Sequence, residues 1–208
     1  MKTIIVSAVV ALMACSTVVN AQKVNKLSFG LRGGVNFANI IEDGNKNFST
    51  EIKPGFNAAA FVELPIFNGF SVQPELQFSQ KGYKSSGSFL TNPYEYTATT
   101  NYVEVPLLAK IVPSPNFAIV VGPQFSFLTS TKYKFKTPNT EYEDIVDNEN
   151  NDLRDNILGG VAGIEAGAGK FIFSARYSLD FQKNNGDGTS STPRYKNQVL
   201  GLSVGFKL

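Results

Sequence analysis

Residues 70–79 read FSVQPELQFS. Phe70, Val72, Pro74, Leu76 and Phe78 alternate with Ser71, Gln73, Glu75, Gln77 and Ser79. An apolar–polar period of two over this length marks a β-strand with one oily and one wet face. No other feature restricts the fold so much, because the same pattern recurs along the chain. Leu27, Phe29, Leu31, Val35 and Phe37 share a face in 27–37. In 56–66 it is Phe56, Ala58, Ala60, Val62, Leu64 and Ile66, and in 102–111 it is Val103, Val105, Leu107, Ala109 and Ile111. The stretches 117–128, 171–182 and 198–208 alternate as cleanly, and 157–168 is a weaker, glycine-rich version. Eight strands of about ten residues each suit a tilted crossing of a bilayer.

The connections alternate as well. Asn68-Gly69, Pro113-Ser114-Pro115-Asn116 and Gly167-Ala168-Gly169-Lys170 are tight-turn signals. The other connections, 38–53, 84–98, 129–156 and 183–196, read as long loops. An even strand count with long loops at one end and short turns at the other is the pattern of an outer-membrane barrel, with both termini at the periplasmic end. The expected fold is all-β: an eight-stranded antiparallel up-and-down transmembrane β-barrel, a single domain over 22–208.

Which face points outward is a question of volume. The interior of an eight-stranded barrel is just wide enough for side chains to fill. The oily face, rich in Phe, Leu, Val and Ile, would overfill it. The other face is mostly Ser, Gly, Ala and Asn, too poor in Lys and Glu for an aqueous surface. The oily face is therefore assigned to lipid. Arg32, Glu63, Glu75, Glu104, Lys110, Glu165, Arg176, Asp180 and Lys207 then point inward, five acids and four bases. Buried charges at this density should pair, since a lone buried charge is costly. The plain expectation is a stabilising plug; the sharper one is a narrow pore lined by the same groups. A third reading, a soluble lipocalin-like ligand binder, needs an apolar interior and is disfavoured by the crowding. Pro74 and Pro106 lie inside strands and predict bulges, because proline removes a ladder donor.

The N-terminal stretch MKTIIVSAVVALMACSTVVNAQ has one cation, an apolar run from Ile4 to Ala14, and small residues at Val19-Asn20-Ala21. It reads as a secretory signal over residues 1–21, too short for a spanning helix. Leu12-Met13-Ala14-Cys15 weakly resembles a lipoprotein box; otherwise Cys15 leaves with the signal and the mature chain has no cysteine. The mature chain, about 187 residues, carries 18 bases against 17 acids. It has no basic stripe of the kind that nucleic acid requires. The implied surroundings are outer-membrane lipid and the barrel-assembly machinery. The barrel is expected as a monomer, its long loops 38–53, 84–98, 129–156 and 183–196 available to an extracellular partner.

Several short motifs carry a family resemblance. They are Gly30-Leu31-Arg32-Gly33-Gly34-Val35-Asn36, Gln73-Pro74-Glu75-Leu76 with Ser79-Gln80-Lys81-Gly82, and Tyr102 to Lys110. Gly122-Pro123-Gln124 and Ala175-Arg176-Tyr177-Ser178 complete the set. Together they resemble the PorT-like outer-membrane β-barrel family of Bacteroidetes over essentially the whole mature chain. The resemblance implies an eight-stranded barrel in the outer membrane of a Gram-negative cell, with no assigned activity for most members. The namesake's link to protein secretion is not transferred on resemblance alone. Such barrels usually end in an aromatic residue, whereas this chain ends Phe206-Lys207-Leu208. Phe206 is therefore the candidate carrier of the assembly signal.

Catalysis finds little support. The chain has no histidine, which removes Ser-His-Asp and Cys-His hydrolases and histidine-based metal sites. No catalytic residue and no cofactor is implied. Gly159-Gly160 and Gly167-Ala168-Gly169 lack the Lys-Ser/Thr ending of a phosphate loop. The acidic stretch 137–155 offers Asp144, Asp147, Glu149 and Asp152 as a weak calcium candidate, but their spacing does not match an EF-hand. A solvated loop is the simpler reading, and the same holds for Asn184 to Thr189.

Overall fold

The computed structural model describes residues 26–42, 50–89, 92–138, 140–147, 154–184 and 194–208. Within them the chain is strand and turn throughout. The strands are β1 (Ser28–Glu42), β2 (Lys53–Phe67), β3 (Phe70–Phe89), β4 (Asn92–Ser114), β5 (Phe117–Lys136), β6 (Glu141–Asp147), β7 (Asn156–Ala168), β8 (Phe171–Asp180) and β9 (Tyr195–Lys207). All pairings are antiparallel between sequence neighbours, except that β7 also pairs with β5 and β9 closes on β1. The ring therefore runs β1-β2-β3-β4-β5-β7-β8-β9, eight strands, and closes with Gly30 opposite Lys207 and Glu42 opposite Tyr195.

The ninth segment, β6, does not enlarge the ring. Phe127 of β5 faces Asn156 of β7, and three residues further on Ser130 faces Asp147 of β6. β6 and β7 thus lie in line beside the same strand, with 148–155 inserted between them. The Leu128 amide donates to the Asp155 carbonyl at 2.8 Å, so the ladder resumes at once below the insertion.

The outer face is the oily one. Leu31, Phe56, Leu76, Leu107, Val121, Ile164, Phe173 and Val204, one from each ring strand, are 47–59 % exposed. An apolar belt on every side would be intolerable in water and is the required surface in lipid. The tight turns hold the short end. Gly69 takes φ 80° between β2 and β3, and Gly169 takes φ 63° between β7 and β8, conformations only glycine reaches without strain.

Two expectations need correction. Residues 84–89, 92–98 and much of 129–156 are not loops. β3 and β4 pair without a break in phase from Gln77↔Glu104 to Phe89↔Asn92. β5 continues to Lys136 and pairs there with β4 and β6. Oily–polar alternation fails above the bilayer because both faces meet polar surroundings, yet the backbone ladder continues. Similarly, 38–42 belongs to β1. Residues 43–49 and 185–193, in the other two long connections, lie outside the described residues. The second correction concerns Pro74 and Pro106. The pairs Pro74↔Leu107 and Gln77↔Glu104 keep one register, so the prolines cost ladder rungs rather than causing a bulge. The β4–β5 register shifts lie elsewhere, between Asn101 and Tyr102 above and between Ile111 and Ser114 at the turn below.

Candidate functional site

With the oily side chains outward, the alternate residues of all eight ring strands fill the lumen. The nine charged residues read as inward-facing do lie there. Eight are buried, and Lys207 at the periplasmic rim remains 31 % exposed. A tenth, Lys81, is buried with them at 1 % exposure. It continues the phase Ser71, Gln73, Glu75, Gln77, Ser79, and extending that count by one step would have found it. These ten comprise five acids and five bases, balanced among themselves.

The charges form two connected groups. In the lower one they alternate in sign along a chain. Lys207 Nζ lies 2.7 Å from Glu63 Oε2, and Lys110 Nζ is 3.1 Å from the same oxygen. Lys110 also reaches Glu165 Oε2 at 2.8 Å, and Arg176 Nη2 takes the other Glu165 oxygen at 2.5 Å. Arg176 Nη1 then meets Glu75 Oε2 at 2.9 Å, and Arg32 Nη2 meets the same oxygen at 2.6 Å. In the upper group Lys81 Nζ sits 2.8 Å from Glu104 and 3.1 Å from Asp180, and 5.0 Å above the Tyr102 ring. Gln124 Nε2 and Ser126 Oγ both donate to Glu104 at 2.9 Å. Asn197 Nδ2 donates to Asp180 at 2.7 Å.

Gln77 joins the two groups. It accepts from Arg32 Nη2 at 2.5 Å and donates to Glu104 at 2.8 Å. The lower group, with four bases and three acids, carries one excess positive charge; the upper group carries one excess negative charge. Between them lies a small cavity of about 20 Å³ lined by Arg32, Gln77, Lys81, Gln124 and Arg176 with Pro106, Val161 and Val199 among others. That is room for about one water. Arg32 Nε, Arg176 Nε and Gln124 Oε1 have no protein partner, so the cavity is bordered by groups able to bind one.

Above the charges the lumen closes over aromatic rings, which the sequence reading passed over. Tyr83 and Tyr195 meet edge to face at 5.5 Å. Tyr96 and Tyr133 stack at 6.0 Å, and together these pack on Ile40 and Ala98. Lower down, Phe61 is buried over Gly30. A Cβ at Gly30 would fall inside that ring, which explains a glycine there. A second missed cation, Lys53, is buried at the upper rim with its ammonium on the Pro54 carbonyl.

The calcium candidate lies largely outside the described residues. Glu149 and Asp152 lie outside the described residues, and only the backbone of Asp144 and Asp147 is placed, in β6. Among the described residues no group of three or more metal-ligating side chains is present.

An outward apolar belt around a closed antiparallel ring, with its interior packed by paired charges, defines a transmembrane β-barrel. The family model described as outer membrane protein beta-barrel domain matches residues 20–185. The chain belongs to that family and is a protein of the outer membrane. No curated protein matches it significantly. Among solved structures, it is similar to Ail, the attachment invasion locus protein of Yersinia pestis, in complex with the heparin analogue sucrose octasulfate. The identity is 14 %, covering 87 % of this chain and 99 % of that one at a TM-score of 0.44. Neisserial surface protein A is 10 % identical over 88 % and 100 % of the two chains, with TM-score 0.48. The outer membrane protease OmpT of Escherichia coli is 7 % identical over 93 % and 100 %, with TM-score 0.46.

Proposed function

We propose that this barrel does not conduct and does not catalyse, that its lumen network holds the ring rigid, and that its function lies in contacts made at the extracellular end. The observation that carries this reading is the continuous filling of the lumen. Paired charges run from Glu63 to Asp180 and tyrosines cover them, with a cavity only large enough for about one water between the two charge groups. The side chains placed for chemistry argue the same way. Ser126 beside Glu104 is a hydroxyl on a carboxylate with no imidazole to activate it.

The motifs that suggest a PorT-like barrel support placing the chain in that branch, and the structure gives them a physical meaning. Arg32, Glu75, Lys81, Glu104, Lys110, Gln124 and Arg176 are all motif residues and all members of the network. In this reading residues 1–21 are removed on export and the barrel-assembly machinery inserts the remainder as one domain. Planar-bilayer recording of the parent and of Glu75→Gln tests the plug. Negligible current in both supports it. Discrete openings in the parent would overturn it in favour of a narrow porin.

A further inference from the structure

The inward positions near the end of β9 carry almost no side chain. Gly201, Ser203 and Gly205 alternate with Leu200, Leu202, Val204 and Phe206, which face lipid. The register sets a long cation opposite each glycine. Arg176 of β8 faces Gly201, and Arg32 of β1 faces Gly205. Ser203 stands between the two. The barrel wall is therefore thin where the two arginines enter the lumen. The cavity of about 20 Å³ borders this wall, lined by Arg32, Lys81, Arg176, Gln124, Ser178 and Ser203 among others.

Its electrostatics are one-sided. Three cations line the cavity, and among the described residues that line it none is an acid. The carboxylates that pair with these cations do not belong to the lining. Glu75 takes Arg32 Nη2 at 2.6 Å and Arg176 Nη1 at 2.9 Å. Lys81 is taken by Glu104 at 2.8 Å and Asp180 at 3.1 Å. These pairs leave donors over. The Nε–H groups of Arg32 and Arg176 have no protein partner, although the two side chains are only 4 % and 7 % exposed. A guanidinium can only donate, and a buried donor without an acceptor is costly. Gln124 Oε1, an unpartnered acceptor on the lining, opposes this as a neutral dipole against charged donors. Size narrows the choice further. A water needs roughly 10–15 Å³. The cavity exceeds that by enough to admit a monatomic ion, and it excludes sulfate, phosphate and carboxylates.

We infer that the cavity is a halide site, holding a single chloride ion among Arg32, Lys81 and Arg176. The ion accepts where the carboxylates leave donors unused, and it is attracted to all three cations at once. Paired charges fill the lumen below and tyrosines cover it above. The ion is therefore enclosed as the ring closes, and it exchanges slowly afterwards. The site goes beyond the plug reading, because a lumen that conducts would present the same three cations.

The test uses the full chain refolded in zwitterionic lipid with sodium chloride, sodium bromide or sodium gluconate at matched ionic strength. Bromide is the heavy-atom probe. Crystals grown in it are expected to show one anomalous peak in the lumen, between Arg32 and Arg176. In urea series read by unboiled gel mobility, the folding equilibrium constant is expected to be about fivefold or more higher in either halide than in gluconate. Ser203→Asp sets a fixed carboxylate between the two arginines. It is expected to lose both the peak and the halide dependence, with heat-modifiable mobility showing an intact barrel. Ser203→Asn fills the same space without charge and is expected to be less stable than Ser203→Asp in gluconate. Equal stability of the parent in all three salts overturns the inference: without a peak the cavity holds water, and with one it holds an adventitious ion only. Greater stability of Ser203→Asn than Ser203→Asp in gluconate also overturns it, because the cavity then does not favour negative charge. None of these outcomes bears on conductance, so failure here is separable from failure of the plug.

Discussion

Replacing Lys81 by Met removes the only cation in the upper charge group. Lys81 lies 2.8 Å from Glu104 and 3.1 Å from Asp180, with all three side chains at 1 % exposure. Removing one partner of a buried pair costs about 3–5 kcal/mol, because the charge left behind is uncompensated. Here two carboxylates are left behind. Each keeps dipolar support: Glu104 from Gln77, Gln124 and Ser126, and Asp180 from Asn197. That places the expected loss near the low end of the range, about 3 kcal/mol. The lost cation–π contact with Tyr102 adds roughly 1 kcal/mol, giving about 4 kcal/mol in all. The chain has no tryptophan, so the folded fraction is best read from gel mobility of unboiled samples across a urea series in lipid vesicles. Adding Asp180→Asn to Lys81→Met should recover at least 1 kcal/mol, a coupling that independent sites do not show. A loss below about 1 kcal/mol for Lys81→Met, or strict additivity in the double variant, would refute the reasoning from buried charge pairing.

Further outcomes follow from other parts of the barrel. In the urea-washed membrane fraction, boiled and unboiled samples should migrate differently, and a protein found only in the soluble fraction would invert the assignment of faces. Gly30→Ala places a methyl where the Phe61 ring lies and should cost about 1–3 kcal/mol of overpacking, recovered in part by Phe61→Leu, as urea midpoints would show. Tyr83→Ala removes the ring that touches both Tyr96 and Tyr195 and should cost about 3–5 kcal/mol, with faster amide exchange at Ile40 and Ala98. Phe206→Ala should lower the yield of inserted barrel in a membrane-insertion assay. Normal insertion would move the assembly signal elsewhere.

The period of two made the ring legible wherever lipid faces one side, because the two solvents force opposite polarity on alternate residues. Leu31 against Arg32 and Leu76 against Glu75 announce both the strand and its orientation. The sheet above the bilayer was illegible for the same reason. Lys84 to Ser88, Tyr94 to Tyr96 and Lys132 to Lys136 meet no lipid, so polarity no longer reports the pleat and the segments read as loops. The charge partners were only half legible. Periodicity put Glu75 and Arg176 on the inside, but they are 101 positions apart and sit on strands that are not neighbours in the ring. Their contact depends on how the strands stagger at closure, which no local pattern encodes. The tyrosine cover was missed because Tyr fits either face of a strand, and Lys81 because Gly82 ended the visible alternation.

The route of the network across the barrel has a consequence for assembly. Glu75 of β3 is held by β1 and β8, Lys81 of β3 by β4 and β8, and Glu63 of β2 by β4 and β9. In a sheet open at the β1–β9 seam, Arg176, Asp180 and Lys207 stand on the far margin from Glu75, Lys81 and Glu63, and these three pairs are unmade in hydrocarbon. The lumen thus penalises every half-closed intermediate and rewards only the sealed cylinder. Seam formation between β1 and β9 becomes the committing step, and the chain gains a built-in check that rejects rings sealed out of stagger.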